Sequence, residues 1–188
     1  MSIMFFDTET TGKYDFKAPH TAPQQPYLVQ LAMILDDLKG ETIEEYETII
    51  RVAEINIPIS AAEIHEITTA IANAHGIDVE IALSKFNDFW KVSNRLIAHN
   101  IDFDMKVMRC AFARKGLEPL FKMTPTYCTM KHSTDVLKLP GRYGYKWPKL
   151  DEAFRVLVDP AGFEGAHNAL NDVRACRDVY YALRKLNK

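Results

Sequence analysis

The sequence predicts a mixed α/β domain, and three observations carry that expectation. Three strand-like segments follow one another within the first 52 residues. Strand-like and helix-like segments then alternate toward the C-terminus. Polar residues capable of chemistry stand directly after the first and fourth strand-like segments, where open α/β sheets place their sites. With 188 residues, 47% of them apolar and 26% charged, the chain has the size and composition of one globular domain, residues 1–188. Its core needs no covalent staple.

Ile3-Met4-Phe5-Phe6 is a short apolar run that reads as a buried strand stopping at a polar turn, Asp7-Thr8-Glu9-Thr10-Thr11-Gly12. Residues 13–26 contain three prolines and little periodicity, so they read as a loop. Residues 27–35 (YLVQLAMIL) are mostly apolar and form a second strand. After a turn at 36–40, the β-branched and partly alternating segment 42–52 (TIEEYETIIRV) pairs with it as a hairpin. Residues 58–74 read as a short helical segment. Residues 79–92 space Ile81, Phe86, Phe89 and Trp90 for one helix face. A fourth strand at 95–98 ends in His99-Asn100. Residues 103–114 are helical, with Phe103, Val107, Cys110 and Ala111 on one side. Residues 126–128 form a fifth strand, and helices follow at 148–157 and 169–186. The sequence contains no repeat, low-complexity tract or linker.

Composition excludes several classes. Cys110, Cys128 and Cys176 are odd in number and lack CxxC spacing, so neither a disulfide framework nor a zinc knuckle is expected. The N-terminus has no basic region before its four-residue apolar run, unlike a signal peptide. No run of 18 apolar residues exists to span a membrane. A cytoplasmic location is the expectation. Net charge is −2, yet it is unevenly spread. Residues 1–90 hold 5 Lys/Arg against 15 Asp/Glu, and residues 106–155 hold 11 against 4. That asymmetry fits a basic surface beside an acidic one as well as it fits solvated faces of opposite sign.

Asp7 and Glu9 are two residues apart at a strand end, and the strand period puts both on one side of the sheet. Carboxylates that close repel, so one protonates or a cation lies between them. Oxygen-only ligation suits Mg²⁺ or Mn²⁺ rather than zinc. A bare Asp-x-Glu is nonetheless more often a solvated turn. Asp104, beside Asp102, and Asp172 both fall in first helical turns, where the helix dipole favours Asp regardless of function. His167 precedes Asp172 by five residues, about 500° of helix. The two converge only if His167 lies before the helix, which Asn168 as N-cap would arrange. Alone, His167 reads as a surface histidine near a cap.

Taken in order, DTETTG from Asp7, HNxxFD from His99 and HxAxxD from His167 resemble the three motifs of the DEDDh 3′–5′ exonucleases, the DnaQ-like group of the ribonuclease H-like superfamily. The resemblance runs from about Ile3 to Leu183. It includes Ile64-His65-Glu66-Ile67-Thr68, similar to an I-H-G-I-T segment of the family, with Glu66 where Gly is usual. The departure puts the local backbone, and His65 as a substrate contact, in question. His75-Gly76-Ile77 is a decoy for the same segment. Tyr127-Cys128-Thr129-Met130 and Lys146-Trp147-Pro148-Lys149-Leu150 look like features of stand-alone bacterial and phage members.

The resemblance implies a ribonuclease H-like fold, a five-stranded mixed sheet flanked by helices. It also implies two Mg²⁺ or Mn²⁺ ions held by Asp7, Glu9, Asp104 and Asp172. Asp7, Glu9 and Asp172 would hold the ion that activates water, Asp7 would bridge to the second with help from Asp104, and His167 would be the general base. Thr10 and Thr11 through their backbone amides, with His65, Asn100 and Phe103, are the implied substrate contacts. The implied partner is nucleic acid with a 3′ end, DNA favoured over RNA, single-stranded or frayed, whose affinity depends on divalent metal because the carboxylates alone would repel it. Residues 138–147 interleave Lys138, Arg142 and Lys146 with Tyr143, Tyr145 and Trp147. They read either as a single-strand-binding element or as a flexible loop with Trp147 packed at a helix start and Pro148 in the first helical position. Two other functions are compatible: a catalytically silent nucleic-acid binding module, and a proofreading subunit. With no polymerase region following Lys188, a polymerase contact is expected to come from a separate chain. Association with a second copy is left open.

Overall fold

The computed structural model describes residues 2–186. Its main sheet has the order β3-β2-β1-β4-β5. β1 (Ser2–Thr10) is antiparallel to β2 (Leu28–Asp37), which is antiparallel to β3 (Thr42–Ile49). β4 (Ser93–Ala98) runs parallel to β1, and β5 (Thr126–Cys128) parallel to β4. This is the mixed five-stranded sheet of the ribonuclease H-like fold. The helices are α1 (Ile59–His65), α2 (Thr69–His75), α3 (Val79–Lys91), α4 (Ile101–Arg114), α5 (Thr129–Leu137), α6 (Leu150–Leu157) and α7 (Ala169–Leu186). Among them, no helix is long and apolar enough to cross a membrane.

β1 is buried on both faces, which is why its sequence shows a continuous apolar run rather than alternation. Met4 and Phe6 join the core under α3 and α4, with Phe86, Val107 and Met108. Ile3 and Phe5 point the other way, against Val173, Cys176 and Tyr180 of α7. Phe86 anchors the first core through edge-on contacts with Phe6, Phe112 and Phe121, centroids 5.5, 6.2 and 5.1 Å away. Each such pair contributes about 0.5–1.5 kcal/mol beyond area burial.

Several boundaries differ from the sequence expectation. β1 does not stop at Phe6. It continues to Thr10 because β2 supplies a ladder for its polar end, pairing Asp7 with Ala32, Thr8 with Leu31 and Glu9 with Gln30. The segment at 58–74 is two helices, broken at Glu66, whose φ of 60° cannot continue α1. The buried face of α3 is Ala82, Leu83, Phe86 and Phe89, while Ile81 is 59% exposed. Trp90 is half-buried and donates its indole N–H to Thr124 Oγ1 at 2.6 Å. α4 begins two residues before the expected start, and α6 two residues after it, so Pro148 precedes the helix instead of opening it. α5 is unexpected: TMKHSTDVL is mostly polar, and Thr129, Met130 and Ser133 are what it buries.

Candidate active site

The end of β1 sets the geometry. Asp7 and Glu9 share the parity of Ile3 and Phe5, so they face α7. Thr8 faces the opposite layer and donates its hydroxyl to Asp104 Oδ1 at 2.7 Å. Asp104 reaches that point from the first turn of α4, at the end of the neighbouring parallel strand β4. The turn between them is tight because Asn100 takes a left-handed conformation, φ 71°. Asp104 is 2% exposed.

α7 brings the remaining two groups. Asn168 caps it as expected, its Oδ1 accepting from the amides of Leu170 (3.1 Å) and Asn171 (3.2 Å). His167 therefore lies before the helix, with φ 68°. Its backbone N–H donates to Asp172 Oδ2 at 3.1 Å. Candidate ligand atoms of Glu9, His167 and Asp172 all lie within 4.8 Å of one another. The five residues picked out from three distant stretches of sequence thus gather at one end of the sheet.

These carboxyl groups are electrostatically strained. Burial, then the charges of Asp104, Asp172 and Glu9, hold Asp7 well above the usual carboxylate range. Burial, then Asp172 and Asp104, push Glu9 up to about 8. Burial raises Asp104 to about 7 against the lowering effect of the Thr8 hydrogen bond. Burial raises Asp172 to about 6 although the His167 N–H favours its charged form. No Lys or Arg is among the groups setting these values. An oxygen-rich donor set with uncompensated negative charge fits divalent cations.

A stability effect follows. Free carboxylic acids titrate near about 4 in an unfolded chain. Here the folded protein binds these protons more tightly, so stability is highest below the unfolded values and falls as pH rises through about 6, 7 and 8. In chelator, melting at pH 8.5 is expected roughly 6–12 °C below melting at pH 5, on the order of 3 kcal/mol for this chain length. Mg²⁺ is expected to recover most of it at the higher pH. A melting temperature indifferent to both would contradict the strained cluster.

The implied substrate contacts fare unevenly. Thr10 is buried, its hydroxyl donating to the Gly12 carbonyl at 2.7 Å. The Thr11 amide, expected to face substrate, instead donates to the Tyr27 carbonyl at 3.0 Å, because the β1–β2 ladder resumes beyond a bulge at Glu9/Thr10. Asn100 makes no side-chain capping bond to α4. Phe103 is half-buried against the α3–α4 core. His65 is 5% exposed, and its Nδ1 accepts from the Ile67 amide at 3.2 Å. Its Nε2 is buried with no partner of ordinary hydrogen-bond geometry among the described residues, although the Thr10 backbone acts on the ring. Burial, with His167 nearby, lowers its pKa. Glu66 keeps the left-handed geometry (φ 60°, ψ 11°) that glycine usually supplies at a helix end. The substitution therefore leaves the turn in place at a cost of about 1–2 kcal/mol. His65 and His167 line a 590 Å³ cavity with Gln30 and Glu47.

The stretch at 138–147 is a small hairpin, β6 (Pro140–Gly141) against β7 (Gly144–Tyr145). Tyr143, Tyr145 and Trp147 are 90%, 55% and 65% exposed. Trp147 is therefore not packed at a helix start. The hairpin's base is fixed beside the site, where His99 Nε2 donates to the Pro148 carbonyl at 3.0 Å and Nδ1 pairs with the Thr129 hydroxyl at 2.9 Å.

One positioning residue escaped the sequence reading. Gln30 is 3% exposed and is Glu9's ladder partner. Its Oε1 accepts from the Ala169 amide at 3.1 Å, and its Nε2 donates to Glu47 Oε1 at 2.7 Å. That same oxygen accepts from Asn168 Nδ2 at 3.1 Å. The turn carrying His167 is thus clamped to β2 and β3. The available signal was a lone amide inside the apolar run YLVQLAMIL.

The family description matching residues 4–180 is the exonuclease family RNase_T. No curated protein matches the chain by sequence. Escherichia coli exonuclease I, in a zinc-bound complex with single-stranded DNA, superposes with a TM-score of 0.78 at 20% identity, over 100% of this chain and 41% of its own. Its complex with a dA16 oligonucleotide gives the same score, identity and coverage. Exonuclease I of Methylocaldum szegediense gives 0.77 at 23% identity, over 98% and 40%. The chain spans about two fifths of the length of these structures, and the likeness establishes the fold they share. Matched across almost its whole length and built on that fold, the chain belongs to the exonuclease family RNase_T.

Proposed function

We propose that the chain is one exonuclease domain that hydrolyses nucleic acid from the 3′ end and releases nucleoside 5′-monophosphates. The carrying observation is the convergence of Asp7, Glu9, Asp104 and Asp172, with no Lys or Arg among the described groups that set their titration and with His167 at their edge. The four carboxylates would hold two Mg²⁺ or Mn²⁺ ions, which when bound make water nucleophilic near neutral pH and offset charge on the phosphate and leaving oxygen. His167 takes the proton of the attacking water, the role that imidazole fills most often among side chains. Thr8 orients Asp104, and the His167 backbone orients Asp172. The phosphorus–O3′ bond breaks, so the phosphate leaves on the 5′ side of the released nucleoside.

Single-stranded or frayed DNA is the favoured substrate. The basic run after residue 106 and the exposed aromatic hairpin beside His99 support it. So do the oligonucleotides bound by the Escherichia coli relatives. A panel of labelled DNA and RNA, single- and double-stranded, with Mg²⁺, Mn²⁺ or chelator, tests the reading. Stepwise shortening from the 3′ end with metal, and none with chelator, is expected. Binding with no shortening under any metal would leave the silent binding module instead. Gln30→Leu is expected to lower kcat roughly 10- to 100-fold by loosening the His167 turn, and to destabilise by about 1–3 kcal/mol. Unchanged kcat would remove the clamp from the mechanism.

A further inference from the structure

The loop between β1 and β2 is more constrained than a connection requires. Gln25, 1% exposed, is its hub. Gln25 Oε1 accepts from the Asp15 amide at 3.0 Å, and its Nε2 reaches the carbonyls of Asp15, Ala18 and Pro19 at 2.8, 3.0 and 3.2 Å. Arg114 of α4 donates to the Pro26 and Gln25 carbonyls and lays its guanidinium 3.7 Å over the Tyr27 ring. The Tyr14 hydroxyl pairs with His20 Nδ1 at 3.0 Å. Ordering such a segment costs about 1–2 kcal/mol per residue in backbone entropy.

What this ordered loop holds out is Phe16, 75% exposed. Tyr14 meets its ring edge-on, centroids 5.2 Å apart. Lys106 Nζ stands 4.0 Å from the ring centroid. The loop is tied to the site by the chain itself: it begins at the end of β1, just past Glu9, while Lys106 stands on α4 two residues after Asp104 and on another face of the helix. Lys13 and Lys17 are exposed on the same loop. A large apolar ring in water, met edge-on by Tyr14 and with the Lys106 ammonium 4.0 Å from its centroid, matches a ligand with flat π-faces strung on a polyanion. A duplex hides those faces and a single strand offers them.

We propose that Phe16, braced by Tyr14 and Lys106, is a stacking platform for a base of the single strand on the 5′ side of the nucleotide being removed. The proposal rests on the exonuclease reading and adds a binding position to it. The test is anisotropy of 5′-fluorescein-dT8 and 5′-fluorescein-rU8 with Ca²⁺ in place of Mg²⁺, beside shortening of the same strands with Mg²⁺. Phe16→Ala is expected to raise Kd about tenfold on both strands, since stacking is blind to the sugar. Phe16→Trp is expected to stay within about threefold of wild type. Lys106→Ala is expected to flatten the dependence of log Kd on log salt by about 0.7. Phe16→Ala binding within about twofold of a wild type that binds and shortens both strands would overturn the platform alone, as would a loss confined to one sugar. Wild-type binding without shortening would overturn the exonuclease reading, while the Phe16 comparison still decides the platform. A wild type that does neither would overturn both.

Discussion

Asp7→Asn is expected to remove turnover and stabilise the metal-free protein in the same stroke. Asp7 is held well above the usual carboxylate range by burial and by Asp104, Asp172 and Glu9. An amide of the same shape keeps the packing and replaces a carboxyl group whose ionisation burial and its neighbours oppose. At pH 8 in chelator, melting is expected to rise by roughly 3–6 °C, equivalent to about 1–2 kcal/mol. With Mg²⁺ present, the ranking reverses, because the wild type gains more from the ion than the variant does. Turnover is expected to fall at least about 10³-fold, since an ion supplies several kcal/mol and each 1.4 kcal/mol is tenfold. Calorimetric melts with and without Mg²⁺, beside single-turnover assays, check both halves. Normal turnover with Mg²⁺ would refute the metal assignment.

His167→Ala is expected to lower kcat by about 10²–10⁴, the range for a lost general base, while Kd for an oligonucleotide moves little. The structure separates side chain from scaffold here. The group on Asp172 is the His167 backbone N–H, and the helix is capped by Asn168. Both survive truncation of the imidazole. Alanine at φ 68° carries strain of about 1–2 kcal/mol, so His167→Asn, which tolerates that backbone better, serves as a matched variant. Equal losses in both assign the effect to the missing imidazole. Full activity in either would mean that another group takes the proton.

The site was more legible than the path to it. Spacing alone placed Asp7 and Glu9 on one side of a strand, and the Asn168 cap alone allowed His167 to face Asp172. Both are local rules of backbone geometry. That Asp104 belongs with them came from motif order, because its hydrogen bond to Thr8 spans 96 residues and leaves no periodic trace. The extension of β1 to Thr10 was hidden for a similar reason: polarity after Phe6 reads as a turn unless the partner strand is known. α5 was missed because few of its residues are apolar and its burial relies on Thr129 and Ser133. Gln30 shows the converse, a polar residue whose role is fixed by tertiary contacts while its strand is set by its neighbours.

Among the described residues, four non-glycine positions have positive φ, and three of them, Glu66, Asn100 and His167, are or adjoin residues of the candidate site. Each turns the chain sharply at a helix end: after α1, before α4 and before α7. Efforts to harden the protein against heat should leave these corners alone. Proline or a β-branched replacement would straighten a bend on which the alignment of acids and imidazole depends, trading activity for rigidity.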